Sequence, residues 1–158
     1  MNTKVVFSTI IGRVAVDADI EFSVSEDFLN GKTDSLRENV QAVVSVHKSN
    51  ANTWSEGHKK YSIDLVLAVA GDIRALQKQN EEYAAKETNG RHHVDLKTLE
   101  VSEIWIDGRH LRIEWRFKDC YGGGRIFSGN MYPIHEVFNS ENHENFYCSS
   151  KVGLQVYF

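Results

Sequence analysis

The chain has 158 residues, of which 41% are hydrophobic and 25% are charged, and its formal net charge is -4. These values predict one globular domain over residues 1–158, with enough apolar surface for an ordinary core, and they exclude a wholly disordered chain. The mildly acidic balance gives no indication of a nucleic-acid-binding protein. The longest apolar run, Leu65–Ala70, is far shorter than the roughly 20 residues of a membrane span, so no membrane association is expected.

The two cysteines, Cys120 and Cys148, form no CxxC pair and are too few for a disulfide scaffold. Ser8 and Thr9 interrupt the short apolar run near the N-terminus, which is untypical of a signal peptide. We therefore expect a soluble cytoplasmic protein. A bridge between the two cysteines stays open as an alternative.

Residues 4–25 predict strands that turn at Gly12-Arg13. In the second strand, apolar and acidic residues alternate, so that they lie on opposite faces of the sheet. The apolar face holds Ala18, Ile20, Phe22 and Val24, and the acidic face holds Asp17, Asp19 and Glu21. Asn30-Gly31 predicts a turn after this unit.

Residues 33–47 predict a helix, which Thr33 or Asp34 would cap. Apolar residues from Leu36 to Val44 follow helical spacing, although the valines favour a strand. Residues 60–70 fit strand alternation and helical spacing equally well, and the choice is left open here. From Asp72, expected to act as an N-cap, the chain predicts a surface helix that ends at Asn89-Gly90.

Residues 99–117 form two alternating runs joined by Asp107-Gly108, a strong hairpin signal. A two-residue turn there predicts Ile104 opposite Leu111, Trp105 opposite His110, and Glu103 opposite Arg112. Residues 151–158 predict a last strand inside the sheet. The expected fold is therefore α+β: an antiparallel sheet of N-terminal strands and a C-terminal meander, with two helical segments packed on one face.

The glycine-rich stretch at residues 119–129 lacks the lysine, the spaced third glycine and the following helix of a phosphate-binding loop. It predicts a wide turn between two strands. The histidines show no metal-binding spacing, so no metal and no cofactor are expected. Cys120, near Lys118 and Arg125, is the candidate nucleophile of an alternative enzyme hypothesis with a dispersed site.

Two surfaces are candidates for binding a partner. The first is the acidic row Asp17, Asp19 and Glu21, which would attract a basic partner, or which would simply protect a solvated strand edge. The second is the face of the hairpin that holds Trp105, His110, Arg112, Glu114 and Arg116, of which all but Glu114 are expected to contact the partner. Trp and Arg are frequent at interface hot spots and also suit single-stranded nucleic acid. The structural alternative is that Trp105 packs under a helix and Arg112 pairs with Glu103.

With no catalytic constellation in the sequence, the leading hypothesis is a non-enzymatic module that binds another protein. Size and charge resemble those of small bacterial or phage inhibitors, such as immunity proteins that neutralise toxins; this analogy rests on no motif. The alternatives are a binder of a small ligand or single-stranded nucleic acid through the Trp/Arg hairpin face, and the enzyme near Cys120. The sequence predicts neither the identity of the partner nor the oligomeric state.

Overall fold

The computed structural model describes residues 3–12, 15–86, 99–107, 109–117, 126–134 and 152–158. The α+β class is confirmed. The strands are β1 (Thr3–Ile11), β2 (Val16–Val24), β3 (Val40–Val46), β4 (Leu99–Asp107), β5 (His110–Phe117), β6 (Ile126–Ser128), β7 (Tyr132–Pro133) and β8 (Gly153–Tyr157). The helices are α1 (Glu26–Leu29), α2 (Leu36–Asn39) and α3 (Glu56–Lys86), with a short 3-10 helix at Lys48–Thr53. Within these residues, no helix combines the length and the apolar character of a membrane span.

The strands form two sheets, each of four strands. In sheet A the order is β1-β2-β3-β8; the first three strands are antiparallel, and β8 lies parallel to β3. In sheet B the antiparallel order is β4-β5-β6, with β7 also paired to β5. The C-terminal strand thus joins the N-terminal strands, while the meander forms a sheet of its own.

Helix α3 lies between the two sheets and contacts β1, β2 and β3 of sheet A and β5 and β7 of sheet B. Its first half is buried on nearly every side, including Tyr61, Ile63, Leu65, Val66, Ala68, Val69, Ala70 and Ile73. A helix enclosed in this way is apolar all round and shows no clear stripe. This explains why the pattern of residues 60–70 leaves strand and helix undecided. The second half of the helix reaches the surface, where Lys78, Glu81 and Glu82 are exposed.

The core of sheet A lies on the face toward α3. The apolar positions of β2 predicted to share one face are all buried: Ala18, Ile20, Phe22 and Val24. Their neighbours Val5 and Phe7 on β1 and Val44 on β3 are buried beside them. The alternation predicted for this strand is confirmed.

The helix predicted over residues 33–47 is wrong for most of its length. Only Leu36–Asn39 forms a single helical turn, and Val40–Val46 forms strand β3. Alternate residues of β3 are buried against α3, and Val40 and Val44 are fully inaccessible to solvent. The stiffness of β-branched side chains and their burial on a pleated surface prevail over the helical spacing.

The hairpin of β4 and β5 forms as predicted, but its register differs. Asp107 is the last residue of β4 and pairs with His110, so Asp107 does not lie in the turn as predicted. Ile104 consequently faces Ile113, and Trp105 faces Arg112. An irregularity between Val101 and Glu103 shifts the rest of β4, because one extra residue there is left without a partner.

Candidate functional site

Sheet A has one face on α3 and the other open to solvent. We call the open side the outer face. It carries the alternate side chains of the four strands: Lys4, Val6, Ser8, Ile10, Asp17, Asp19, Glu21, Ser23, Gln41, Val43, Ser45, Gln155 and Tyr157. The acidic row predicted from the sequence thus lies on β2, an inner strand of this face.

Each carboxylate that the structure describes in the acidic row has neighbours on the adjoining strands. Ser8 Oγ donates a hydrogen bond of 2.5 Å to Asp19 Oδ1, and His47 Nε2 lies 3.7 Å from Asp19 Oδ2. Lys4 Nζ donates to Glu21 Oε1 at 3.0 Å. These contacts are solvent-exposed and of a kind that contributes little to stability, so they can be exchanged for contacts with a partner.

The interpretation of the acidic row as protection of a strand edge is wrong. Strand β2 is paired on both sides, with β1 and with β3. Its carboxylates therefore shield no unpaired backbone. The fold therefore gives the row no edge-protecting role, and its printed contacts, with Lys4, Ser8 and His47, are solvent-exposed and contribute little to stability.

Apolar groups flank the acidic row on β1 and, two strands away, on β8. Val6 is 64% exposed and lies opposite Glu21, while Ile10 is 59% exposed and lies opposite Asp17. Tyr157, on β8, is 56% exposed. Single exposed apolar residues are ordinary, but several on one open sheet face, around a charged centre, are typical of an interaction surface.

The second predicted surface is also formed by one face of its sheet. Trp105, His110, Arg112, Glu114 and Arg116 lie on the side of β4 and β5 opposite the buried Leu111, Ile113 and Trp115. We call this side the hairpin face.

On the hairpin face, Arg112 stacks its guanidinium over the Trp105 ring, 4.7 Å from the ring centroid, and its Nη2 lies 3.6 Å from Glu114 Oε1. The predicted pair of Arg112 with Glu103 is wrong, since the register places Glu103 opposite Glu114. Trp105 is 37% exposed, so it does not pack under a helix.

Among the described residues of the hairpin face, carboxylates outnumber guanidinium groups. Arg112 and Arg116 provide two guanidinium groups. Four acidic residues occupy the same face or directly opposite positions: Glu100, Glu103, Asp107 and Glu114. Such a balance is unfavourable for a polyphosphate, whose affinity depends on uncompensated positive charge.

Sequence reasoning missed a buried polar cluster around Asp72. Asp72 lies inside α3, sixteen residues after the start of the helix. The prediction that Asp72 is an N-cap is therefore wrong. Its Oδ2 accepts a hydrogen bond of 2.9 Å from Trp115 Nε1. Its Oδ1 accepts bonds from the Asn130 backbone N–H at 3.1 Å and from the Tyr132 hydroxyl at 3.0 Å. The carboxylate thus joins α3 to both β5 and the segment that contains β7.

Burial raises the pKa of Asp72 above its ordinary value, because desolvation outweighs the three hydrogen bonds that favour the charged form. The pKa of Tyr132 is also raised, first by burial and then by the negative charge of Asp72. Gly129 makes this approach feasible, since a Cβ there would lie 2.6 Å from Asp72 Cγ. An acid flanked by apolar residues on both sides, as in "AVAGDIRAL", was the available signal for a buried carboxylate.

His58 forms a second buried polar contact, at the start of α3. The Ser55 backbone N–H donates to His58 Nδ1 at 3.0 Å, and Ser55 Oγ lies 2.7 Å from the same nitrogen. His58 thus occupies the third position of α3 and accepts from the N-cap backbone N–H, as glutamate does in a capping box. Trp54 stacks on the His58 ring, with ring centroids 5.5 Å apart.

Several residues singled out in the sequence lie outside the part of the chain that the structure describes. Cys120, Cys148, Lys118 and Arg125 belong to this group, as does most of the glycine-rich stretch. The strands on either side of that stretch, β5 and β6, pair as an antiparallel hairpin, as the wide turn predicted. Among the described residues, no group of three or more His, Cys, Asp or Glu side chains is placed to hold a metal ion.

The described residues thus present three candidate features: the outer face, the hairpin face and the Asp72 cluster. Comparison of the chain with protein-family models, with curated proteins and with solved structures gives no match.

Proposed function

We propose that this protein is a binding module that docks a basic protein partner on the outer face of sheet A. The observation that carries this proposal is the row of three carboxylates on an inner strand, where it shields no edge. Exposed apolar groups beside the row would supply the desolvated contacts of an interface, and the carboxylates would supply orientation and long-range attraction.

Charge decides which kind of partner suits this surface. Among the described residues of the outer face, Asp17, Asp19 and Glu21 stand against one lysine, Lys4. A second copy of the chain would bring one acidic row against another, and like charges in an interface are costly. A surface with lysine or arginine side chains, which replace Lys4 and His47 as the partners of the row, complements it.

Two of the buried polar side chains in the described part of the chain, Asp72 and His58, have structural roles. Both oxygens of the Asp72 carboxylate accept structural hydrogen bonds. The Nδ1 of His58 serves the start of α3. A general base needs a free acceptor directed at a substrate, and these acceptors are occupied by the fold.

The experiment begins with capture of partners from cell extract on the wild-type protein, their identification, and purification of each. Binding is then measured with the variant Asp17→Asn/Asp19→Asn/Glu21→Gln. We expect the dissociation constant to rise at least tenfold, mainly through slower association, and the wild-type affinity to fall as salt is added.

The matched control is Glu38→Gln/Glu81→Gln/Glu82→Gln, which removes the same charge from exposed helical positions. It should bind as the wild type does. If both variants weaken binding equally, the effect comes from net charge and not from the outer face. Unchanged binding by the outer-face variant would reject the proposed surface.

A further inference from the structure

Strand β8 forms an outer edge of sheet A. Among the described residues, it is paired only with β3, and no strand lies on its other side. The opposite outer strand, β1, carries Lys4, whereas residues 152–158 contain no charged side chain and no proline. Proteins normally protect an edge strand with such residues, because an unprotected edge pairs with another strand.

The sequence of this strand is complementary to itself. When two copies are placed antiparallel about a two-fold axis at Gln155, Leu154 lies opposite Val156 of the other copy. Gly153 lies opposite Tyr157, and Val152 lies opposite Phe158. Every pair on the α3 side is then apolar. On the outer side, a tyrosine ring covers a glycine, a recurrent way of stabilising a glycine in a sheet.

The same pairing covers side chains that a single copy leaves open. Tyr157 is 56% exposed and Phe158 is 61% exposed. Phe158 contacts Trp54 edge-on, with ring centroids 6.2 Å apart, so its position is set by the fold. Aromatic side chains contribute strongly to interfaces, because they bury large areas at a small cost in conformational entropy.

Electrostatic repulsion does not oppose this arrangement. The two β2 strands would be five strand spacings apart, roughly 24 Å at about 4.8 Å per spacing. This distance exceeds the screening length of about 8 Å at physiological ionic strength, so the two acidic rows interact little. In a dimer formed face to face through the outer face, by contrast, the two acidic rows would lie directly against each other.

We propose that β8 is a dimerisation strand, which pairs antiparallel with β8 of a second copy about Gln155 and joins the two copies of sheet A into one sheet of eight strands. The two-fold axis is perpendicular to the sheet, so both outer faces lie on the same side of the dimer. The interface is isologous, as is usual for two-fold dimers.

The test is a charge exchange at the two-fold axis, followed by sedimentation velocity over a hundredfold range of protein concentration. Gln155 is exposed, so Gln155→Lys and Gln155→Glu leave the core unchanged. Each variant alone places two like charges opposite each other, and we expect its dimer dissociation constant to rise at least tenfold. An equimolar mixture of the two should recover the wild-type dimer.

The matched control is Gln79→Lys, which changes an exposed glutamine on α3, outside sheet A. It should dimerise as the wild type does. A wild-type protein that is monomeric at every concentration overturns the proposal, and so does a dimer that Gln155→Lys leaves intact. Loss of the dimer in both single variants without recovery in the mixture also contradicts pairing at Gln155.

This inference shares Tyr157 with the outer face proposed to bind a basic partner, but the two proposals are tested at different residues. Gln155→Lys changes the edge and not the acidic row, while the triple variant of the acidic row leaves β8 unchanged. Failure of one proposal therefore shows in one set of variants and not in the other.

Discussion

Asp72 and Asp19 are the same residue type in opposite environments. Asp72 is fully buried and accepts three hydrogen bonds from groups that the fold holds in place. Asp19 is half exposed, and its contacts come from the exposed Ser8 and from His47. Removing a partner from Asp72 leaves a desolvated group unsatisfied, whereas water can replace any partner of Asp19.

This contrast indicates how the molecule divides its carboxylates. One is used to join α3 to sheet B, at a considerable desolvation cost. The row on sheet A makes exposed contacts that contribute little to stability, and in the proposed function its role is recognition. Substitutions at Gly129, Asp72, Arg112 and Asp19 should therefore disturb the fold to different extents, with the largest loss of stability at Gly129.

Gly129→Ala should have the largest effect. A Cβ at this position would lie 2.6 Å from Asp72 Cγ and closer still to its Oδ2, so either the carboxylate or the chain must move. We expect a loss of at least about 3 kcal/mol in the free energy of unfolding, measured in urea. Gly71→Ala is the comparison, because its obstacle is the far end of the Tyr132 side chain. A change at Gly129 within about 1 kcal/mol would show that the approach is not tight.

Asp72→Asn should cost about 1–3 kcal/mol, because the amide presents a donor to a site where three donors converge. The pKa of Asp72 is raised above its ordinary 3.8 in the folded state, so the folded state binds a proton more tightly than the unfolded state does. The stabilising contribution of wild-type Asp72 is therefore complete below pH 3.8 and is lost as the pH rises through the raised value.

The measurement is the unfolding free energy of the wild type minus that of Asp72→Asn, followed from about pH 4 to about pH 8. The difference should decrease as the pH increases. An increase over the same range would mean that the hydrogen bonds outweigh desolvation and that the pKa is lowered.

An intermediate case is the half-buried Arg112, stacked on Trp105. Arg112→Lys keeps the charge and removes the planar group that lies on the ring. We expect a loss of about 0.5–1 kcal/mol in thermal or urea unfolding. Arg116→Lys, exposed on the same strand, is the control and should change stability less. Equal effects of the two would show that stacking contributes nothing.

Asp19→Asn should have the smallest effect on the fold, within about 0.5 kcal/mol, because its contacts are exposed. The contrast with Asp72→Asn, measured under identical conditions, directly tests the comparison of the two carboxylates. A loss at Asp19 as large as that at Asp72 would give the acidic row a structural role and remove the main support for the proposed docking surface.

Local patterns in the sequence determined several features of this protein. Alternation in residues 16–24 predicted β2 and both of its faces, and a turn signal predicted the hairpin of β4 and β5. The α+β class followed from these strands and from the helix-forming residues near Ala75. Such patterns are readable because they depend on neighbours in the chain.

Only the tertiary structure decided the remaining features. Enclosure between the two sheets favours apolar residues on nearly every side of α3 at residues 61–70, which leaves no clear period there, and burial against α3 favours a strand at Val40–Val46. Three features depend on residues that are dozens of positions apart in the chain. They are the separation of the strands into two sheets, the parallel pairing of β8 with β3, and the hydrogen bonds of Asp72. Long-range packing and desolvation set these features, and neither leaves a period in the sequence.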